Sequence, residues 1–460
     1  MPRRDPSRAC EDFHRTAATA RHPQVGVTRR HFLGWGIGAG VSLYTARALP
    51  LQHWLDGADE AAAAAPRARI LVSVFLPGGL DLLDTFLDTQ QYAAYAKARG
   101  SAARKLGGTP LSGTSILAHP GMSHGVRGGL KALFDAGLVG VLPGIDYANP
   151  DLSHFHSRVF WESGTITSQL TTGWLGRWLD LHGGRRNPFQ GLSSGPKLSP
   201  ALLTSAAPVA SLSSLSNTAM AVPGLSRGAQ KKAMAAYATL AAHRRGDGAG
   251  RAAVRSTSKM AHEVARRVAG LDERDAGVTL PPDANYIADG KPLAGYPNSE
   301  FGTRLKRLAF VLAQPLGVRI ATVDCADDFD THNNQPSRLS DALADVSASL
   351  SAFQADLQLR GLSDRVLTFV WTEFGRRPHG NRSSGTDHGA GGIAWVMGDH
   401  AASGVLTEYP SLRDLDENGN LKVSVDFREV YASLIEQWLG TPADGIIPDA
   451  AALRRFAVVK

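Results

Sequence analysis

Residues 69–81 read R-I-L-V-S-V-F-L-P-G-G-L-D, an apolar run that stops at Pro77-Gly78-Gly79. A short, nearly continuous apolar stretch bounded by turn residues has the pattern of a strand buried on both faces. Downstream the pattern repeats. Residues 126–136 are predicted as a helix ended by Gly137, and 138–142 as the next strand, closed by Pro143-Gly144. Helices are expected at 153–162 and 174–181. From 183 to 299 the composition shifts to Ser/Pro/Gly and then, from about 230, to a long Ala/Arg/Lys helical pattern. That stretch is predicted as a helical insertion or cap; it holds no dense cluster of His, Asp and Glu, and no chemistry is assigned to it. Alternation then resumes, with helices at 301–313, 339–359 and 427–439 and strands at 318–324, 365–372 and 392–397. Strands alternating with helices predict an α/β domain over 66–460 with a mainly parallel sheet covered on both faces.

In such sheets ligands bind beyond the carboxyl ends of the strands, and the polar residues of interest gather there. The first strand leads to Asp81, with Asp84 in a poorer position. The second leads through N-P-D-L-S-H-F-H, with Ser153, His154 and His156. The third leads to D-F-D-T-H, with Asp330 and His332; the fourth to T-E-F-G-R-R, with Glu373, Arg376 and Arg377, and then to G-T-D-H-G with Asp387 and His388. Carboxylates and imidazoles converging from several strand ends are what a divalent-metal site needs. Asp330 and His332, two residues apart, can reach one ion. Ser153 reads equally well as the N-cap of a helix or as a nucleophile at a helix N-terminus, where the dipole favours its alkoxide. Arg158, Arg376 and Arg377 are candidates for clamping an anion.

The chain has 460 residues, 49 Lys and Arg against 42 Asp and Glu, and a formal charge of +7. The basic residues are scattered, without the Lys/Arg block and interleaved aromatics of a nucleic-acid binder. No nucleotide-binding glycine fingerprint and no internal repeat occur. Of two cysteines, Cys10 and Cys325, the second ends an apolar run and reads as a core residue. Residues 28–33 read T-R-R-H-F-L and precede a short, Gly-rich apolar stretch, the order of a twin-arginine export signal. That stretch is too weakly apolar to span a bilayer as a stable helix. Ala48 and Ala65 mark two candidate cleavage points. Residues 1–65 are therefore expected to be a leader read by the twin-arginine export machinery. The mature protein is expected to have no transmembrane segment and to work in the periplasm or outside the cell.

The strings L-V-S-V-F-L-P-G-G-L-D, S-H-F-H-S-R-V-F-W-E-S-G, G-W-L-G-R-W-L-D, D-T-H-N-N-Q, T-E-F-G-R-R, G-T-D-H-G and V-D-F-R-E-V-Y-A-S-L-I-E-Q-W-L-G, taken in order, resemble the bacterial family called domain of unknown function 1501. That family in turn resembles a distant branch of the alkaline phosphatase and sulfatase superfamily. The second resemblance implies a three-layer α/β/α sandwich, two divalent metal ions (zinc, calcium or manganese) and an anionic phosphate or sulfate ester as substrate. Carried over by residue, it implies Asp81 as a metal ligand, Ser153 as nucleophile, and Asp330 and His332 on the other ion. Either Asp387-His388 or, by topology, Glu373 and His388 complete the ligands, and the topological choice is preferred. His154 and Arg376 join Ser153 as catalytic candidates. Under the preferred mapping Phe374 replaces a ligand histidine, and the sulfatase Cys-x-Pro-x-Arg signature is missing. Those departures leave room for a second expectation, a non-catalytic extracytoplasmic binding or assembly protein that keeps the fold.

Overall fold

The computed structural model describes residues 41–44, 68–167, 170–184, 187–215, 232, 267, 268, 271, 277, 280, 283–288, 291–293 and 295–460. Its centre is a ten-stranded sheet built from β1 (Val41–Tyr44), β2 (Ile70–Phe75), β3 (Val139–Asp146), β4 (Gly191–Ser194), β5 (Val209–Leu212), β6 (Ile320–Asp324), β7 (Val366–Trp371), β10 (Gly392–Met397), β11 (Gly404–Val405) and β12 (Val425–Asp426). The strands β8 (Gly375–Gly380) and β9 (Thr386–Gly389) form a separate hairpin above its rim. The order across the sheet is β1-β5-β4-β6-β2-β7-β10-β3-β11, with β12 also on β3. From β5 to β7 every pairing is parallel; β10 runs antiparallel between β7 and β3. The mainly parallel sheet read from the sequence is present.

All six residues of β2 are buried, and the strand's alternation divides them between two cores. Ile70, Val72 and Val74 pack with helices α6 (Glu300–Leu312) and α7 (Gln335–Leu359). Leu71 and Phe75 pack with α5 (Trp174–His182) and α8 (Phe427–Leu434). A sheet apolar on both faces needs a helical layer on each side, and the result is a three-layer sandwich.

Several boundaries differ from the sequence reading. Pro143-Gly144 does not close β3. Gly144, at φ +73°, makes a bulge, and pairing to β10 resumes with Ile145. The expected helix 126–136 is shortened to α3 (Gly129–Asp135), because Arg127 at φ 57° interrupts the preceding turn. The helix expected at 339 starts at Gln335, since Pro336 is tolerated in a first turn. The closing helix ends in a π-helical turn, Ile435–Leu439.

The predicted insertion, 183–299, begins too early. Its Ser-rich strings at 191–194 and 209–212 are strands of the main sheet, where Ser193 and Thr322 share a hydroxyl hydrogen bond of 2.7 Å and Ser211 donates to the Gly195 carbonyl. The Ala/Arg/Lys pattern from 230 lies almost wholly outside the described residues, as do the Arg pair at 29–30 and both cleavage points. Among the described residues no helix is long and apolar enough to cross a membrane. Cys325 is free and buried.

Candidate metal centre

Four rim segments and one helix end build the site. β2 runs into Gly78-Gly79, β6 into the 325–334 loop, β7 into Thr372-Glu373, and the β8–β9 hairpin pairs Arg376 with His388. The fifth piece is α4 (His154–Ser163), whose first residue is His154. Trp161 fixes this helix. It is fully buried and lies between Trp371 of β7, 5.3 Å away with planes 4° apart, and Phe427, 4.6 Å away. One turn nearer the rim, Arg158 pairs with Glu162 (3.0 Å) and Asp324 (2.7 Å).

Three imidazoles surround the Asp330 carboxylate. His332 Nε2 is 3.0 Å and His388 Nε2 3.2 Å from Asp330 Oδ1, and the two Nε2 atoms are 2.9 Å apart. His154 Nε2 lies 3.5 Å from Asp330 Oδ2, buried and without a hydrogen-bond partner. His154, Asp330 and His388 each offer one ligand atom within 4.8 Å of the others, the arrangement that can hold a metal ion. The opposite edge of each ring is anchored. His154 Nδ1 meets Glu373 Oε1 at 2.7 Å, His332 Nδ1 meets Asp387 Oδ1 at 3.2 Å, and His388 Nδ1 meets the Leu152 carbonyl at 2.8 Å. Carboxylates and carbonyls only accept, so each Nδ1 is an N–H donor, and a ring that is neutral turns its Nε2 lone pair inward. Two such lone pairs 2.9 Å apart repel unless a cation or proton lies between them.

The electrostatics follow from this packing. Burial alone would raise the Asp330 pKa, but the three imidazoles and the Arg376 guanidinium hold it far below the usual carboxylate range. Burial opposes protonation of His154, yet the Asp330 and Glu373 carboxylates outweigh it and push its pKa up to about 9. Asp330 and Asp387 raise His332 in the same sense. His388 goes the other way: burial lowers its pKa, and the Arg376 charge adds to the effect. His154 and His332 thus favour the protonated form, and a cation on Nε2 would have to displace that proton.

The structure corrects several expected roles. Asp81 is not in the cluster. It caps α1 (Leu82–Thr85), and its oxygens accept from Arg99, the last residue of α2 (Tyr92–Arg99), at 2.6 and 2.7 Å and from Gln335 at 2.6 Å. Asp81 and Arg99 are both shielded from solvent. Glu373 is filled from within the chain by Gly78 N (2.8 Å), Gly79 N (3.2 Å), the Thr372 hydroxyl (3.0 Å) and His154, so it orients a ring and has no oxygen to spare for an ion. Asp387, half exposed, likewise holds the outer edge of His332 and bonds Asn381. Arg376 is 1% exposed. It donates to the Gly78, Gly79, Phe329 and Thr386 carbonyls and to Asp330 Oδ1, which ties three loops together and leaves it out of reach of a substrate. Arg158 is spent on Glu162 and Asp324, and exposed His156 on Asp151. Ser153 sits at the N-cap of α4, but its side chain makes no capping bond.

Two backbone features complete the site: a glycine pair whose motif did not show its role, and a strained leucine that no motif announced. Gly78 and Gly79 have φ of +107° and +73°; a Cβ on Gly78 would stand 2.3 Å from Asp330 N, and one on Gly79 2.4 Å from the Phe374 ring. Only glycine lets both amides turn onto Glu373 there. Leu152 carries a left-handed φ of 59°, which a leucine rarely adopts, and its carbonyl fixes His388.

A family described as "Protein of unknown function (DUF1501)" matches residues 149–441. No match was found among curated proteins. Solved structures with partial similarity include a TAB5 alkaline phosphatase mutant with Mg bound in its M3 site, from an Antarctic bacterium, at 11% identity, covering 72% of this chain and 91% of that one, TM-score 0.31. The PsFucS1 sulfatase from Pseudoalteromonas sp. is 12% identical over 86% of this chain and 72% of its own, TM-score 0.34. Ps i-CgsB in complex with k-i-k-neocarrahexaose is 9% identical over 81% and 72%, TM-score 0.35. Likenesses of this size carry no argument about chemistry, which is left to the side chains.

Proposed function

This chain belongs to the family of unknown function DUF1501, and from the site its segments assemble we propose that it is an exported, metal-dependent hydrolase of phosphate or sulfate esters. The observation that carries the reading is the inward convergence of three anchored imidazoles on Asp330 at a solvent-reachable rim, with side-chain exposures of 18–24%. A divalent ion held there by His154, His388, His332 and Asp330 would supply Lewis-acid polarisation and make a water more acidic. The chain's own groups hold and tune the site. Glu373, Asp387 and the Leu152 carbonyl fix the rings, and Arg376 fixes Asp330 while cancelling part of its charge. With neutral rings a dication and Arg376 would offset the charges of Asp330, Glu373 and Asp387. Ser153, adjacent to His154 and free of capping duty, remains the candidate protein nucleophile.

The test is a screen of aryl phosphates, phosphodiesters and aryl sulfates with purified protein, before and after treatment with a chelator. Turnover of at least one class is expected, lost on chelation and restored by metal. A loaded protein inert against all three classes favours the second reading, a binding or assembly protein, for which the missing histidine at Phe374 speaks.

Export rests on the Arg pair and the apolar stretch after it. The mature protein is expected to begin near Leu49 or Pro66, which N-terminal sequencing of the envelope fraction checks; an intact start at Met1 in the cytoplasm would end the export proposal. Cleavage at either point removes β1, which lies at residues 41–44.

A further inference from the structure

Among the described residues only one group of three or more His, Cys, Asp or Glu side chains has ligand atoms close enough to share an ion. The groups that would build a second place are occupied. Both Glu373 oxygens accept from Gly78, one also from Gly79 and the Thr372 hydroxyl, and the other binds His154. Asp81 faces Arg99 and Gln335. The Phe374 ring packs against two of the imidazoles, 4.8 Å from His154 and 4.7 Å from His388, which meet edge to face at 4.4 Å. In contrast, the inner ring atoms meet only one another and Asp330, and His154 Nε2 has no hydrogen-bond partner. Ligand atoms about 2.0–2.2 Å from a tetrahedral ion stand roughly 3.3–3.6 Å from one another. The three His–Asp330 separations run from 3.0 to 3.5 Å, and His332 and His388 are 2.9 Å apart. His154, Asp330 and His388 offer ligand atoms within 4.8 Å of one another, with His332 beside His388.

We infer that the centre takes a single transition-metal ion, held by the Nε2 atoms of His154, His332 and His388 and by Asp330, with Glu373 and Asp387 as positioning residues that hold the rings. The inference rests on the proposed reading of the cluster as a cation site. It departs from a two-ion arrangement, and it disfavours calcium, because a set of three imidazoles and one carboxylate suits zinc, manganese or iron better than an ion that prefers oxygen.

The experiment is a titration of chelator-stripped protein with cobalt(II), read by visible absorption and by metal analysis. One cobalt per chain is expected, and millimolar calcium should not displace it. His154→Gln should weaken binding and change the spectrum. Asp387→Asn, half exposed and therefore safe for folding, should weaken affinity by about 10–100-fold at unchanged stoichiometry. Two ions per chain, no cobalt bound, or wild-type affinity and spectrum in both variants would overturn the inference. Cobalt bound one to one in a protein that hydrolyses no ester would leave it standing and defeat only the hydrolase reading.

Discussion

Asp330→Asn is expected to strip the centre of metal and abolish turnover while the sandwich stays folded. Asp330 is the one charged group that touches all three imidazoles, so its replacement removes the negative charge that balances the cation. Metal assistance is worth several kcal/mol of transition-state stabilisation, so activity should fall by about three decades or more. The fold has other supports at this point. Arg376, buried beside Asp330, keeps its bonds to the Gly78, Gly79, Phe329 and Thr386 carbonyls, and asparagine preserves the shape of the side chain. Metal analysis, turnover and thermal unfolding on the same sample check the three parts. Full metal content in the variant would remove the basis of the proposed mechanism.

The second large effect lies beneath the site. Arg99→Met is expected to lower stability by about 3–5 kcal/mol, because it strands buried carboxylates. Arg99 and Asp81 have no exposed side-chain surface. Asp84 completes the group, accepting from the Tyr95 hydroxyl at 2.5 Å and from Gln335 at 2.6 Å. Burial would lower the Arg99 pKa, but Asp81 and Asp84 outweigh it and keep the guanidinium charged. Denaturant unfolding measures the loss. Asp81→Asn serves as the companion: it should lose stability yet bind cobalt as the wild type does. A folded Asp81→Asn protein with reduced metal stoichiometry would return Asp81 to the ligand set.

Most of the frame was legible from residues alone. The run 69–77 read as a buried strand, and the alternation after 301 implied helices on both faces. The rim position of Asp330, His332 and His388 followed from their place just past strand ends or in the hairpin beyond them. What could not be read was which acid faces which base. Asp81 and Glu373 look like ligands in sequence because buried carboxylates near strand ends usually have a cation to meet; Asp81 meets Arg99, at the far end of the next long helix, and Glu373 meets a glycine pair far upstream. Spacing does not encode such partnerships. Arg376 misled for a related reason, since nothing in T-E-F-G-R-R shows that one arginine turns inward onto four carbonyls while Arg377 reaches outward to the Asn418 carbonyl. The early start given to the insertion came from serines, which read as loop until cross-strand hydroxyl bonds accommodate them in a sheet.

The near-parallel stack of Trp161 on Trp371 has a use beyond anchoring. Two indoles held face to face couple their electronic transitions, and such coupling shows as a paired band in the far-ultraviolet circular dichroism. One partner belongs to the helix that begins at His154 and the other to the strand that ends before Glu373. The protein therefore carries its own optical gauge of whether that imidazole is still seated, readable without substrate, metal or label.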